Sequence, residues 1–390
     1  MTQEQSNNRL LSLDVLRGVT IAGMIMVNNP GSWSHVYAPL RHAPWNGLTP
    51  TDLVFPFFMF IMGISTYISL RKYNFEWNRA TLFKILKRTV VIFLIGLGLT
   101  WLSLSFRTYR GLSGEEIGLF DRIFRAITNF EHIRILGVLQ RLALSYGIAA
   151  TLAILIKHKY FPFIIITSLV AYFVLLLVGN GFELSEQNVI SIVDRAILGT
   201  KHMYKDSGVF LDPEGLLSAI PSVCHVLIGF CCGKMILAGK DNVLRMQQLF
   251  IVGAILTFAG FLLTYGCPIN KKIWSPTFVL VTCGLASTTL ALLIWIIDIK
   301  GYKRWSVFFE SFGVNPLFIY VTAGLFAIVL GNIIFTYNGN LISLSGFVYT
   351  VCLRPLLGDY LGSLVYALLF VTLNWGVGHI LYRKKIYIKI

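Results

Sequence analysis

Apolar runs of about twenty residues alternate with short polar or basic breaks from residue 11 to the end of the chain. The runs fall near 11–29, 52–70, 85–106, 135–156, 160–179, 215–238, 246–266, 275–297, 308–334 and 361–382. A helix rises about 1.5 Å per residue, so roughly 20 apolar residues cross a hydrocarbon core of about 30 Å. The pattern therefore predicts an all-α polytopic membrane protein with about ten transmembrane helices in one bundle. The stretch 341–357 is apolar as well, but it is short and contains Arg354-Pro355. It reads as a re-entrant or interfacial segment, with an eleventh span as the alternative. The segments 30–51, 107–134, 180–214 and 335–360 then connect spans on one side. Mixed charge over 107–134 predicts an amphipathic surface helix. Pro213 and Glu214 suit the first turn of the helix that follows.

Composition agrees with this reading. Hydrophobic residues make up 56% of the chain and charged residues 13%, where a soluble domain carries roughly 25% charged residues. Mean hydropathy is +0.71. The run after the polar residues Met1–Arg9 has no small-residue cleavage site, so it reads as a retained first span. The net charge of +15 does not point to nucleic acid, because the bases cluster in short loops beside apolar runs. With the N-terminus inside, those loops carry Arg9, Arg71, Lys72, Lys234, Arg304 and the tail bases Arg383, Lys384, Lys385 and Lys389, opposed by Glu4, Glu76, Asp241 and Asp298. Both termini are expected in the cytoplasm and the 30–51 loop outside. The six cysteines lack CxxC spacing and a His pattern, so no metal site is expected.

Chemistry concentrates in the stretch Arg41-His42-Ala43-Pro44-Trp45-Asn46-Gly47-Leu48-Thr49-Pro50-Thr51-Asp52. Imidazole is the side chain suited to proton transfer at neutral pH, although a lone loop histidine is commonly just exposed. Asp52 begins a span, where helix capping is its ordinary role. Asp14 and Arg17, three apart, share a helix face; they read first as an internal ion pair, with an anion-binding Arg17 as the functional reading. Asn28 ends the first span before Pro30-Gly31. It is an ordinary helix stop that can also hold an oxyanion. Arg141 and His225 lie inside spans, where a polar group must face the bundle interior or a partner. Asn315-Pro316 breaks the ninth span. Such breaks are tolerated where the bundle or a cavity resatisfies the backbone.

Several blocks together resemble the heparan-alpha-glucosaminide N-acetyltransferase family. They are Leu13-Asp14-Val15-Leu16-Arg17-Gly18, Val27-Asn28, His42-Ala43-Pro44-Trp45-Asn46-Gly47-Leu48-Thr49 with Asp52-Leu53-Val54-Phe55-Pro56, Gly137-Val138-Leu139-Gln140-Arg141-Leu142, Asp194-Arg195, Asp212-Pro213-Glu214-Gly215, Pro268-Ile269-Asn270-Lys271 with Trp274-Ser275, and the basic tail. The resemblance implies a single transmembrane acyltransferase domain over 1–390. Such a domain would move acetyl from cytoplasmic acetyl-CoA to the amine of a terminal glucosamine on the far side. It implies catalytic His42 and Asn28, with Asp52 holding the loop or the imidazole. Trp45, Asn46, Arg141 and Glu214 are then candidates for holding the acceptor, and Arg17 with the inner-face bases Arg71, Lys72 and Arg304 for the donor's phosphates. His42 would be a general base or a transient acetyl carrier; the sequence leaves both open. A heparan-type amino-sugar acceptor, the lipid bilayer and a homodimer are the partners implied, and a bacterial inner membrane the location. Relative to the family enzyme, the large N-terminal luminal region and a leading span have no counterpart here, and 335–360 is an insert on the acceptor side. O-acetylation of an envelope glycan is the second enzymatic reading. A sugar transporter is the rival class, against which the lack of an evident internal repeat counts.

Overall fold

A computed structural model describes residues 10–388; Glu4, Arg9 and Lys389 lie outside the described residues. Among those residues, nine helices are long and apolar enough to cross a membrane: α1 (Leu11–Asn28), α2 (Pro50–Arg71), α3 (Arg79–Gly111), α5 (Val138–Leu155), α6 (Phe161–Val178), α8 (Ala219–Ala238), α9 (Asn242–Leu262), α10 (Pro276–Leu293) and α14 (Asp359–Arg383). Counted together, one bent pair of helices gives a tenth apolar run. Helices α11 (Ser306–Gly313) and α12 (Pro316–Asn332) meet at an 86° bend, because Pro316 has no N–H to continue the ladder. Short helices α4 (Leu119–Thr128), α7 (Val189–Leu198) and α13 (Leu344–Leu357) lie in the connecting segments.

The connections sort into two ends. At one end the 30–49 loop bonds to the start of α14 (Gly31 N to the Ser363 carbonyl, 3.2 Å) and to the 266–275 loop (Gly47 N to the Ile269 carbonyl, 2.8 Å). At the other end Arg17 reaches the Gly313 carbonyl and Ser65 Oγ. The Phe75 and His158 rings also meet there, at 4.4 Å.

Helices α1, α2, α5, α8 and α10 form the inner cluster, while α3, α6 and α9 turn apolar side chains such as Phe83, Phe163 and Phe258 outward. Without water there is no hydrophobic force between spans, so close packing must supply the association. Helices α2 and α8 touch backbone to backbone. A Cβ on Gly63 would lie 2.1 Å from the Val226 carbonyl oxygen, and one on Gly229 2.1 Å from that of Phe60.

Two expectations need correction. Helix α3 is longer than 85–106, since Asn78 Oδ1 caps it by accepting from Thr81 N at 2.7 Å. Helix α8 starts at Ala219, so Pro213 and Glu214 stand in an irregular turn and not in its first turn. The all-α class holds, with two short antiparallel hairpins in the connecting segments. They are β1 (Lys205–Asp206) with β2 (Val209–Phe210) and β3 (Ile334–Tyr337) with β4 (Asn340–Ser343). The second turns on Asn338-Gly339, both at positive φ, the pairing that a two-residue hairpin turn demands. The 107–134 segment carries the expected amphipathic helix, and 341–357 carries a short apolar one. Helix α4 is amphipathic, with Leu119, Phe120 and Phe124 exposed along one face. Helix α13 is too short to cross, and it begins and ends at the same end of the bundle.

Candidate active site

The site is built where the 30–49 loop enters α2. Thr49 is the N-cap, Pro50 occupies the first helical position and Asp52 the third, a capping box preceding an apolar helix. Asp52 Oδ2 accepts from Thr49 N (3.1 Å), Thr49 Oγ1 (2.9 Å) and Ala43 N (3.1 Å). Its other oxygen, Oδ1, lies 2.6 Å from His42 Nδ1. A bare Nδ1 would face a carboxylate lone pair at that distance, so the proton is assigned to Nδ1 and Nε2 is left as the acceptor. Asp52 is 1% exposed and the His42 side chain 44%. A buried carboxylate thus orients an imidazole whose reactive edge meets solvent.

A second loop completes the arrangement. Asn270 Oδ1 accepts from Lys272 N (2.8 Å) and Ile273 N (3.2 Å), forming a side-chain turn. Trp274 follows at φ 51°, an unusual conformation for a bulky residue, and is fully buried against Phe55. The turn points Lys271 Nζ at His42, 3.0 Å from Nδ1 and 3.4 Å from Nε2, and 3.5 Å from Asp52 Oδ1. Burial pushes the Lys271 ammonium below its ordinary range, against the pull of Asp52 and Glu214. Lys272 Nζ clamps the His42 loop through the Pro44 carbonyl (2.6 Å) and pairs with Asp206.

Beside this pair lies an acidic turn. Arg134 bonds Asp212 through Nε (3.0 Å) and a terminal nitrogen (2.6 Å), and the same nitrogen meets Glu214 at 2.5 Å. Burial opposes its charge, but Glu214 and Asp212 outweigh that and raise its pKa above the usual range. Asp194 Oδ1 accepts from Leu216 N at 2.8 Å. Burial and the nearby Asp212 push its carboxyl up to about 6.

The expected residues fall into three groups. His42, Asp52, Trp45 and Asn46 come together in one loop, with Glu214 close enough for its charge to act on Lys271. Trp45 Nε1 donates to the Phe182 carbonyl (2.8 Å), and Asn46 Oδ1 accepts from Asn270 Nδ2 (3.2 Å), so both hold the loop. Arg141 is fully buried. It donates to Ser222 Oγ (2.6 Å), Ser218 Oγ (2.6 Å) and the Gly215 carbonyl (2.7 Å), which shapes the 212–218 turn. Asn28 is the exposed last residue of α1 and makes no side-chain hydrogen bond to the His42–Asp52 pair. Arg17 bonds Asp14 at 2.8 Å inside the bundle, as the ion-pair reading has it. Arg71, Lys72 and Arg304 are exposed at the end opposite His42. Sequence reasoning misses Lys271 and Arg134 as site residues. Lys271 has a signal, its place in the Pro268–Lys271 block; Arg134 has none, because its acids lie far off in sequence.

A family model described as "Heparan-alpha-glucosaminide N-acetyltransferase, catalytic" matches residues 9–265. The chain belongs to this family. The protein named heparan-alpha-glucosaminide N-acetyltransferase from Homo sapiens is 27% identical over 373 residues, covering 80% of this chain and 52% of that protein. Its Mus musculus counterpart is 26% identical over 379 residues, covering 82% and 54%. The chain thus spans about half the length of these curated relatives. The family match takes in the His42 loop, the acidic turn and Arg141, whereas the Lys271 turn lies beyond it.

Proposed function

We propose that this protein is a transmembrane N-acetyltransferase that passes acetyl from acetyl-CoA to the amine of a glucosamine-type acceptor. The observation that carries the reading is the His42–Asp52 pair at 2.6 Å with the imidazole edge exposed. A carboxylate that holds Nδ1–H fixes the tautomer and steadies the imidazolium that forms on proton transfer. The relatives' names supply the acetyl group and the amino sugar.

In the direct route, the acceptor nitrogen attacks the thioester carbonyl, the N–C bond forms and the C–S bond breaks. The nitrogen gives up two protons. One passes through His42 Nε2 to the departing sulfur, and the other goes to solvent. Lys271, 3.4 Å from Nε2, stands where an ammonium meets the oxyanion of the tetrahedral intermediate. In the alternative route Nε2 itself carries the acetyl group between two half-reactions. Arg71, Lys72 and Arg304, exposed at the opposite end, favour a polyanionic donor arriving there. On this reading the donor comes from the cytoplasm, the His42 loop faces outside and the protein sits in a bacterial inner membrane.

The test is acetyl transfer by the purified protein, with radiolabelled acetyl-CoA and glucosamine, for wild type and His42→Ala. Alkali-stable N-acetylglucosamine from wild type alone is the expected result. Label on the protein before acceptor is added selects the acetyl-carrier route. Undiminished transfer by His42→Ala refutes the proposal, and an alkali-labile product replaces amine transfer with ester formation.

A further inference from the structure

We infer that the 32–41 loop and the start of α14 form a saccharide platform at the His42 end of the bundle, which takes a further sugar of an oligosaccharide that carries the acceptor residue. This rests on the acetyl-transfer reading and extends it to substrate length. The loop is docked firmly. Ser32 N donates to Ser363 Oγ at 3.0 Å, Ser363 Oγ donates to the Ser32 carbonyl at 3.2 Å, and a Cβ on Gly31 would meet the Tyr349 ring at 2.6 Å. On that base the Tyr37 and Tyr360 rings face each other at 5.5 Å and 46°, and His35 stands edge-on to Tyr360 at 5.5 Å. Both tyrosines stay exposed, as does Trp33. At their edge Arg354 Nε lies 2.5 Å from Asp359 Oδ1, and His35 Nε2 lies 3.8 Å from Oδ2.

This combination fits a sugar ring. Its C–H face packs on aromatic faces, and its hydroxyl rim meets a carboxylate that accepts and a guanidinium that donates. Aromatic residues at a bundle end also serve as interfacial anchors. Here, however, the rings pack on one another, and an ion pair involves the residue next to Tyr360. The platform and His42 share one loop. Tyr37 is five residues before His42, at most about 18 Å along the chain. Arg41 folds the segment back through the Val36 carbonyl (2.7 Å) and the Ser34 carbonyl (3.2 Å). Arg354, Asp359 and Tyr360 come from the 335–360 segment, so they tie that insert to acceptor choice.

The experiment compares glucosamine with its β-1,4-linked tetramer as acceptors for wild type, Tyr360→Ala and Tyr360→Phe, alongside direct tetramer binding by saturation-transfer NMR. Tyr360→Ala should raise KM for the tetramer roughly tenfold more than for glucosamine, a factor worth about 1.4 kcal/mol. Tyr360→Phe should restore it, because the ring face remains. Equal changes for both acceptors, or none, overturn the platform. So does a loss of detergent-free membrane retention with tetramer binding intact, which makes these residues lipid anchors. If wild type transfers to neither acceptor yet binds the tetramer through Tyr360, the platform survives and the acetyl-transfer reading fails.

Discussion

Asp52→Asn isolates the orienting carboxylate, because the substitution keeps size and changes charge. Asp52 accepts four hydrogen bonds while 1% exposed, three on Oδ2 and one from His42 Nδ1 on Oδ1. The asparagine has one acceptor oxygen. Ala43 N, Thr49 N and the Thr49 hydroxyl will claim it, since buried N–H groups left unpaired cost about 1–3 kcal/mol each. The amide NH2 then faces His42 Nδ1 and can only donate. Nδ1 must become the acceptor, which moves the proton to Nε2 and removes the base from the reactive edge. The analogous carboxylate-to-amide swap in serine proteases costs roughly 10⁴ in kcat, or about 5 kcal/mol of barrier. A loss of roughly 10³- to 10⁴-fold in kcat is therefore expected, with KM for acetyl-CoA little changed. The assay is steady-state acetyl transfer in detergent, with thermal unfolding of the same preparation to show that the bundle persists. A kcat within about threefold of wild type in a folded Asp52→Asn variant would sink the orienting role of Asp52, because a tautomer switch predicts a far larger loss.

Three further outcomes follow from the geometry. Lys271→Met, which removes the ammonium 3.0 Å from the imidazole, should lower kcat by roughly 10²-fold, in the range of a lost oxyanion donor; a change confined to KM would assign Lys271 to binding. Asp194 has a folded pKa of about 6 against an unfolded carboxyl near 4. Its stability contribution is therefore complete below about pH 4 and lost as pH rises through 6, by an amount on the order of 3 kcal/mol. Asp194→Asn should remove that fall, so melting curves of the two proteins should diverge progressively from about pH 4 to 7, and parallel curves would contradict the burial argument. Gly63→Leu forces a side chain into the Val226 carbonyl, 2.1 Å from where its Cβ would lie, and should lower the melting temperature markedly, whereas Gly98→Leu, with open space around its Cβ, should not.

Most of the fold is legible because lipid solvent imposes a simple rule. A span must be apolar, long and helical, so run length alone locates ten apolar runs and Pro316 locates the bend. The hairpins escape because each is a few residues long, although Asn338-Gly339 announces the second. His42 and Asp52 are legible as residue types in a polar loop beside a helix start. Their pairing is not, since capping alone explains Asp52 and nothing in the spacing shows that its second oxygen is left over for an imidazole. Arg134 is invisible to any local reading, and the Pro268–Lys271 block marks Lys271 without showing its partner. Each completes its group from more than 70 residues away in sequence, and only the packing of the bundle brings those loops to one end.

The two ends of the bundle differ in how their charges are settled. At the His42 end three bases of the site have acids, Lys271 with Asp52, Lys272 with Asp206, and Arg134 with Asp212 and Glu214, while Arg41 donates to the Val36 and Ser34 carbonyls. At the other end Arg71, Lys72, Lys234 and Arg304 are exposed and make no ion pair among the described residues. Screening confines exposed charges to about 8 Å at physiological salt, so each end acts on its own ligand. Unpaired cations beside His42 would repel a glucosamine ammonium before it could lose its proton. The same cations at the opposite end attract phosphate and cost the acceptor nothing, because a bundle about 30 Å thick separates them. The acids at the His42 end are the complementary half of that division. In the proposed mechanism, Asp52 and Glu214 offset the charge of Lys271 for an approaching ammonium and leave it a donor for the oxygen that becomes negative after attack. A transferase that meets a polyanion at one end and a cation at the other needs this asymmetry, and a bundle that only conducts a neutral sugar has no use for it.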